Sequence, residues 1–262
     1  SVPVVSSLLS AEQKGDFVLQ IQEQYDVLRE RFLNKQSVKN LLPLDQANAN
    51  KFKIKWQDYT PPTPKHLGVK VFTNYDLSEL VPYIDWTPFF QSWQIAGKYP
   101  DILSDEIVGT QATQLYNDAR AMLQRMVSEK WLTAQAVIGL FPANSSGNDI
   151  QVKSDDQSSV MLHPLRQQTT KAQGLPNLCL ADFIAPEETG LTDYIGAFAL
   201  TAGIGIEKWV AHFESQHDDY QAILVKALAD RLAEALAERL HERIRKELWG
   251  YAIDEHLSTQ DL

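Results

Sequence analysis

Hydrophobic and polar residues follow several different periods along this chain, and each period predicts an element. Residues 1–8 open with Val2-Pro3-Val4-Val5, a short apolar stretch that reads as extended. Ser10-Ala11-Glu12-Gln13 has the form of a capping box. Phe17, Ile21, Tyr25, Leu28 and Phe32 follow it at helical spacing, which predicts a helix to about Gln36. Residues 37–50 form a polar connector, so a boundary falls near 50 and divides the chain into segments 1–50 and 51–262. Lys51-Phe52-Lys53-Ile54-Lys55-Trp56 alternates charge with apolar bulk, the pattern of a strand with one wet face. Pro61-Pro62-Thr63-Pro64 then imposes an extended segment. Val69-Lys70-Val71-Phe72 predicts another strand, and Asp76 to Val81 a brief helix.

The second half is more apolar. Ala112, Leu115, Ala119, Leu123 and Met126 recur at helical spacing within a predicted helix from Glu106 to Lys130. Ala136 to Phe141 is a buried strand, and the turn at 144–149 returns it through Ile150-Gln151-Val152-Lys153 as a hairpin. Leu178 to Ile184 and Tyr194 to Leu200 read as two further strands joined by the Pro186–Gly190 loop. A long helix is predicted from about Ile206 to Trp249. Its series Leu224, Leu228, Leu232, Leu236, Leu240, Ile244, Leu248 repeats every fourth residue. Each step turns about 400°, so the stripe drifts about 40° per step and should touch several neighbours instead of one coiled-coil partner.

Composition narrows the class. Hydrophobic residues make up 44% and charged residues 22% of the 262 residues, enough apolar material for a sizeable core. Lys plus Arg 24 against Asp plus Glu 34 leaves −10, which argues against a phosphate backbone as principal partner. The lone Cys179 excludes an internal disulfide and a cysteine-rich metal site. No stretch is long and apolar enough to span a membrane and no signal-peptide pattern opens the chain, so a cytoplasmic setting is expected. The chain begins at Ser1 instead of Met, which suggests processing or excision from something longer. It closes on Ser258-Thr259-Gln260-Asp261-Leu262, either a second helix start or a polar tail.

Most candidate chemistry dissolves on inspection. His241-Glu242-Arg243-Ile244-Arg245 has Arg245 where a zincin needs its second histidine, and His212 and His217 point about 140° apart around a helix. Gly203-Ile204-Gly205 meets Lys208 at the third glycine position of a phosphate loop. Asp85 stands out within Tyr83-Ile84-Asp85-Trp86-Thr87-Pro88-Phe89-Phe90. It either favours the N-terminus of a helix whose N-cap and first position are Thr87-Pro88, or forms a cation-binding carboxylate in an aromatic cleft. Glu234 and Glu238 lie with Asp230, Arg231 and His241 on one flank of the long helix. Spacing pairs Arg231 with Glu234 as a solvated charged face.

Several segments together carry a resemblance. They are Asp58-Tyr59-Thr60-Pro61-Pro62, Tyr83 to Phe90, Ala96-Gly97-Lys98-Tyr99-Pro100, Gly139-Leu140-Phe141-Pro142-Ala143-Asn144, Leu165-Arg166-Gln167-Gln168, Cys179-Leu180-Ala181-Asp182-Phe183 and Gln216-His217-Asp218-Asp219-Tyr220. From about Phe52 to Leu262 the chain resembles the C-terminal activation domain of cobalamin-dependent methionine synthase, the methyltetrahydrofolate–homocysteine S-methyltransferase. The resemblance implies an α+β fold: a curved, mainly antiparallel sheet flanked by helices. An N-terminal linker helix would leave the cobalamin-binding domain within residues 1–50.

The resemblance also implies a task. Oxidation leaves the enzyme's cofactor as inactive cob(II)alamin. Reactivation uses S-adenosylmethionine bound to this domain and an electron from flavodoxin or an equivalent reductase, with the cobalamin held by a neighbouring domain. Asp85 and Glu234 match the family's S-adenosylmethionine-binding acidic residues, suited to a ligand bearing sulfonium and ammonium charge. The family's Arg-Pro-Ala-Pro-Gly-Tyr-Pro motif is not among these 262 residues, so they are expected to bind S-adenosylmethionine weakly or not at all on their own. A different class of reading is a non-catalytic interaction module that docks flavodoxin and the cobalamin domain. Lys51, Lys53, Lys55 and Lys65 would then be candidates for meeting an acidic partner, or simply a solvated strand face.

Overall fold

The computed structural model describes residues 2–35, 41–154 and 158–257. The chain divides into two compact units, residues 1–53 with 165–179, and residues 54–164 with 180–262.

The first unit opens with helix α1 (Val2–Leu9), where the valine-rich start reads as extended from sequence. A proline in a first helical turn forfeits no hydrogen bond, so Pro3 does not prevent it. Helix α2 (Lys14–Lys35) follows the capping box, and the Ser10 hydroxyl accepts the Gln13 amide at 3.3 Å. The polar connector contains a short helix, α3 (Leu44–Ala49). The segment 165–179 is bound to this region by backbone and amide bonds. Leu42 N–H donates to the Gln168 carbonyl at 2.7 Å, and Asn177 N–H to the Asn50 carbonyl at 2.9 Å. Asn177 is fully buried, and its amide donates to the Gln167 and Thr169 carbonyls at 2.8 and 2.9 Å. A boundary near 50 drawn on local pattern does not anticipate this segment, because its attachment is made by residues more than a hundred positions away.

The second unit is α+β around an open antiparallel sheet. Strand β1 (Gly68–Tyr75) pairs along one side of β2 (Thr133–Ser146), with Val71 opposite Val137. The far end of β2 turns through Gly147, at φ +64°, into β3 (Asp149–Lys153), and β3 pairs with β4 (Ser159–Leu162). Strand β5 (Asp193–Ile204) lies on the other side of β2, with Phe198 opposite Ile138. Between β1 and β2 the chain forms helices α4 (Trp86–Ser92) and α5 (Gly109–Ser128).

The expected strand at 51–56 does not form: that stretch pairs with no strand and ends in a 3₁₀ turn, Trp56–Asp58. Alternation alone cannot supply the missing partner, and the prolines that follow prevent a ladder from extending. The expected strand at 178–184 is likewise a 3₁₀ turn, Leu180–Phe183. The predicted long helix is three pieces: α6 (Ile206–Ser215), α7 (Asp219–Arg243) and a π-helical turn, Ile244–Leu248. His217 adopts φ +57° and the Asp218 carboxylate caps the next helix through the Gln221 amide at 3.0 Å, which together break α6 from α7.

The drifting leucine stripe does what its geometry requires. Leu224, Leu228, Leu232, Leu236 and Leu240 are completely buried. The helix packs on β5, α6, α5, α4 and the 81–83 turn. At the end of the π turn, Trp249 crosses β5 at Gly196, where an added Cβ would stand 3.5 Å from the indole. Among the described residues no helix is long and apolar enough to cross a membrane.

Candidate functional site

The aromatic-rich segment forms a sequence of tight turns that leaves one carboxylate pointing outward. A 3₁₀ turn covers Val81–Tyr83, and Ile84 is buried. Asp85 is the N-cap of α4, its carboxylate accepting the Thr87 amide at 2.9 Å. Thr87-Pro88 therefore lies inside the helix instead of starting it. The Thr87 hydroxyl is spent elsewhere, accepting the Tyr99 amide at 3.2 Å. Trp86, Phe89 and Phe90 turn into the core while Asp85 stays exposed.

Asp85 lies at the edge of a cleft of about 1100 Å³ whose lining includes Trp86, Tyr99, Tyr116, Arg120 and Gln124. The Trp86 and Tyr116 rings meet edge to face at 4.9 Å, and the Tyr99 and Tyr116 hydroxyls are 3.0 Å apart. Burial pushes the Tyr116 phenol up to about 12, helped by the hydrogen bond it shares with Tyr99, while the positive charge of Arg120 opposes the shift. The Arg120 guanidinium stands 5.7 Å from the centre of the Tyr116 ring. The cleft thus offers one carboxylate, one guanidinium and an aromatic wall. That suits a ligand with both signs of charge and a flat or apolar part.

A second polar cluster fixes this segment from behind. The Tyr83 hydroxyl donates to Glu242 near the end of α7. Glu242 also receives Arg239 at 3.1 Å and Lys246 at 2.9 Å. Burial alone would raise the Glu242 carboxyl. The hydrogen bonds from Tyr83 and Lys246, with the charges of Lys246 and Arg239, outweigh it and hold the group at about 2. The same environment raises the Tyr83 phenol, first through burial and then through its bond to Glu242.

The two sequence candidates fall in different surroundings. Asp85 lines the cleft; Glu234 does not. Glu234 is exposed on α7, 3.9 Å from Arg231, whose closer partner is Asp230 at 2.6 Å. The pairing expected from spacing is therefore present, but Asp230 holds the stronger claim. Arg120 and Tyr116 are absent from the sequence candidates. Their i, i+4 spacing on α5 was available, but nothing in a single sequence says which face of that helix meets the Asp85 turn.

The other motifs have plain structural roles. Gly205, at φ +96°, makes the turn from β5 into α6, and Cys179 is buried. His212 faces Gln216 at 3.4 Å, and the His241 Nδ1 faces Arg245 at 2.6 Å. Among the described residues no group of three or more His, Cys, Asp or Glu could hold a metal ion. The polar pattern at 258–262 lies outside the described residues.

The family described as vitamin B12 dependent methionine synthase, activation domain, matches residues 76–262. Among solved structures, the crystal structure of the MetH reactivation domain bound to AdoHcy is similar at 51% identity and a TM-score of 0.79. The match covers 84% of this chain and 68% of that one.

Proposed function

This chain belongs to the activation domains of vitamin B12-dependent methionine synthase, and from that premise we propose that it serves reductive reactivation of the enzyme by binding S-adenosylmethionine. In this reading S-adenosylmethionine supplies the methyl group, the cobalamin is held by a neighbouring domain, and flavodoxin or an equivalent reductase supplies the electron. Residues 1–50 form the linker from the cobalamin-binding domain. The chain's own task is to bind and orient the methyl donor.

The observation that carries this reading is Asp85 at the edge of the aromatic cleft. One carboxylate oxygen is committed to the Thr87 amide, which fixes the group without neutralising it. A fixed negative charge beside aromatic rings favours a sulfonium or ammonium ion. The cleft exceeds the usual size of a small-ligand site, so the described residues fit the ligand in sign and in space. The similar MetH reactivation domain was solved with AdoHcy, the demethylated product of that donor. Glu234 enters on the family resemblance, as a second carboxylate for the same positive charge.

Titrating this chain with S-adenosylmethionine and S-adenosylhomocysteine tests the proposal. We expect saturable binding weaker than low-micromolar, reduced about tenfold by Asp85→Asn. The same affinity in wild type and variant would remove Asp85 from the site. Low-micromolar binding by wild type would mean that these 262 residues complete the site by themselves.

A further inference from the structure

The cleft beside Asp85 carries its two signs of charge on two separately anchored elements. Asp85 is held at the start of α4 by the Thr87 amide, at 2.9 Å. Arg120 stands on α5, whose other face is locked into the core by Ala112, Leu115, Ala119, Met122 and Met126. Tyr116, Arg120 and Gln124, spaced by four, follow one another along the face of α5 that lines the cleft. The Tyr116 ring joins the two elements. It meets Trp86, the neighbour of Asp85, edge to face at 4.9 Å, and the Arg120 guanidinium stands 5.7 Å from its centre. Among the described residues, Arg120 is the one cation in the cleft lining.

We propose that Arg120 binds the carboxylate at the amino-acid end of the methyl donor, so that the cleft selects a zwitterion held between α5 and the Asp85 turn. This rests on the reading of the cleft as the S-adenosylmethionine site. A guanidinium presents a planar fork of donors that matches a carboxylate. Contact with the Tyr116 ring restricts the side chain in advance, which lowers the entropy lost when that fork closes on a ligand. Asp85 meets the positive side of the same molecule, so a ligand with the wrong arrangement of charges gains at one end and loses at the other. Arg120 is itself exposed, and solvent screening keeps the expected effect near tenfold.

The test compares S-adenosylmethionine with its decarboxylated form, which lacks only the carboxylate, binding to this chain in ligand-observed NMR at millimolar ligand. Arg120→Met should weaken S-adenosylmethionine about tenfold and leave the decarboxylated ligand unchanged, with part of the loss restored by Arg120→Lys. Asp85→Asn should weaken both ligands, since both keep their positive charge. Circular dichroism checks that each variant keeps its fold. Should Arg120→Met fold poorly, the wild-type chain decides by itself. Its −10 favours the more cationic decarboxylated ligand, so a preference for S-adenosylmethionine supports the proposal and equal or reversed affinity overturns it. Equal losses for both ligands in Arg120→Met also overturn it, and make Arg120 a support for the Tyr116 wall. Weakening by Asp85→Asn without weakening by Arg120→Met removes Arg120 and leaves the cleft reading intact. An effect of neither variant, or binding of neither ligand, removes both.

Discussion

Replacing Glu242 with Gln tests whether the cluster behind Asp85 fixes the site. Glu242 joins the Tyr83 hydroxyl, Arg239 and Lys246, and only 18% of its side chain is exposed. Its folded carboxyl sits at about 2 against an ordinary 4.5, and that gap sets a ceiling of about 3 kcal/mol on its contribution to stability. Arg239 and Lys246 remain partly exposed, so solvent screening brings the expected loss to about 1–2 kcal/mol. A carboxyl lowered on folding stabilises above its unfolded value and stops doing so as pH falls through the folded one. Wild type should therefore exceed Glu242→Gln by about 1–2 kcal/mol at neutral pH, with the difference closing between about 4.5 and about 2. Urea unfolding at a series of pH values, followed by circular dichroism, measures it. A difference that stays constant from pH 7 to the acid end would refute the electrostatic reasoning and leave only a packing effect.

Three further outcomes follow from individual side chains. Asp85→Asn should keep the helix cap and lose the charge, whereas Asp85→Ala should also cost about 1 kcal/mol of stability; thermal unfolding beside ligand titration separates the roles. Leu232→Ala, at a completely buried position on α7, should cost about 3–5 kcal/mol, and Leu232→Met under about 1.5 kcal/mol, measured by denaturant midpoint. The Asn144 amide donates to the Ala185 and Leu191 carbonyls at 3.1 and 2.7 Å, so Asn144→Ala should cost about 1–3 kcal/mol and expose residues 184–193 to faster hydrogen exchange.

The parts of this fold legible in the sequence are those set by local repetition. The leucine series of α7 could be read as a helix touching several neighbours, because its drift follows from helix geometry alone. The β2–β3 hairpin could be read because its turn sits between two apolar runs. The break at His217 was not legible. Phe213 and the later leucines keep a nearly continuous helical period, and the interruption rests on one backbone conformation and one capping carboxylate. Residues 51–56 failed in the opposite way, since a strand pattern needs a partner that the sequence cannot supply. Asp85 was recognisable as a carboxylate among aromatics: the structure shows that it caps α4 and lines the cleft, and its binding of a cation is what we propose. Glu234 owes its candidacy to family resemblance, since its surroundings are those of an ordinary solvated face.

The two acidic candidates nonetheless share one mechanical frame. Glu242 lies eight residues beyond Glu234 on the same unbroken helix, which places them about 12 Å apart along the axis and about 80° apart around it. Glu242 holds Tyr83, and Tyr83 precedes Asp85 by only two residues, with Ile84 buried between them. The position of Asp85 relative to Glu234 is therefore set through α7 by a short covalent path and one charge-assisted hydrogen bond. A ligand whose positive charge is shared by both carboxylates requires their separation to be constant; the Thr87 amide fixes Asp85 only within its own turn, and Glu234 is exposed. The buried leucines fix α7, and the Tyr83–Glu242 bond carries that rigidity to the Asp85 turn. Loosening that bond should consequently weaken ligand binding even though Glu242 itself lies outside the cleft lining.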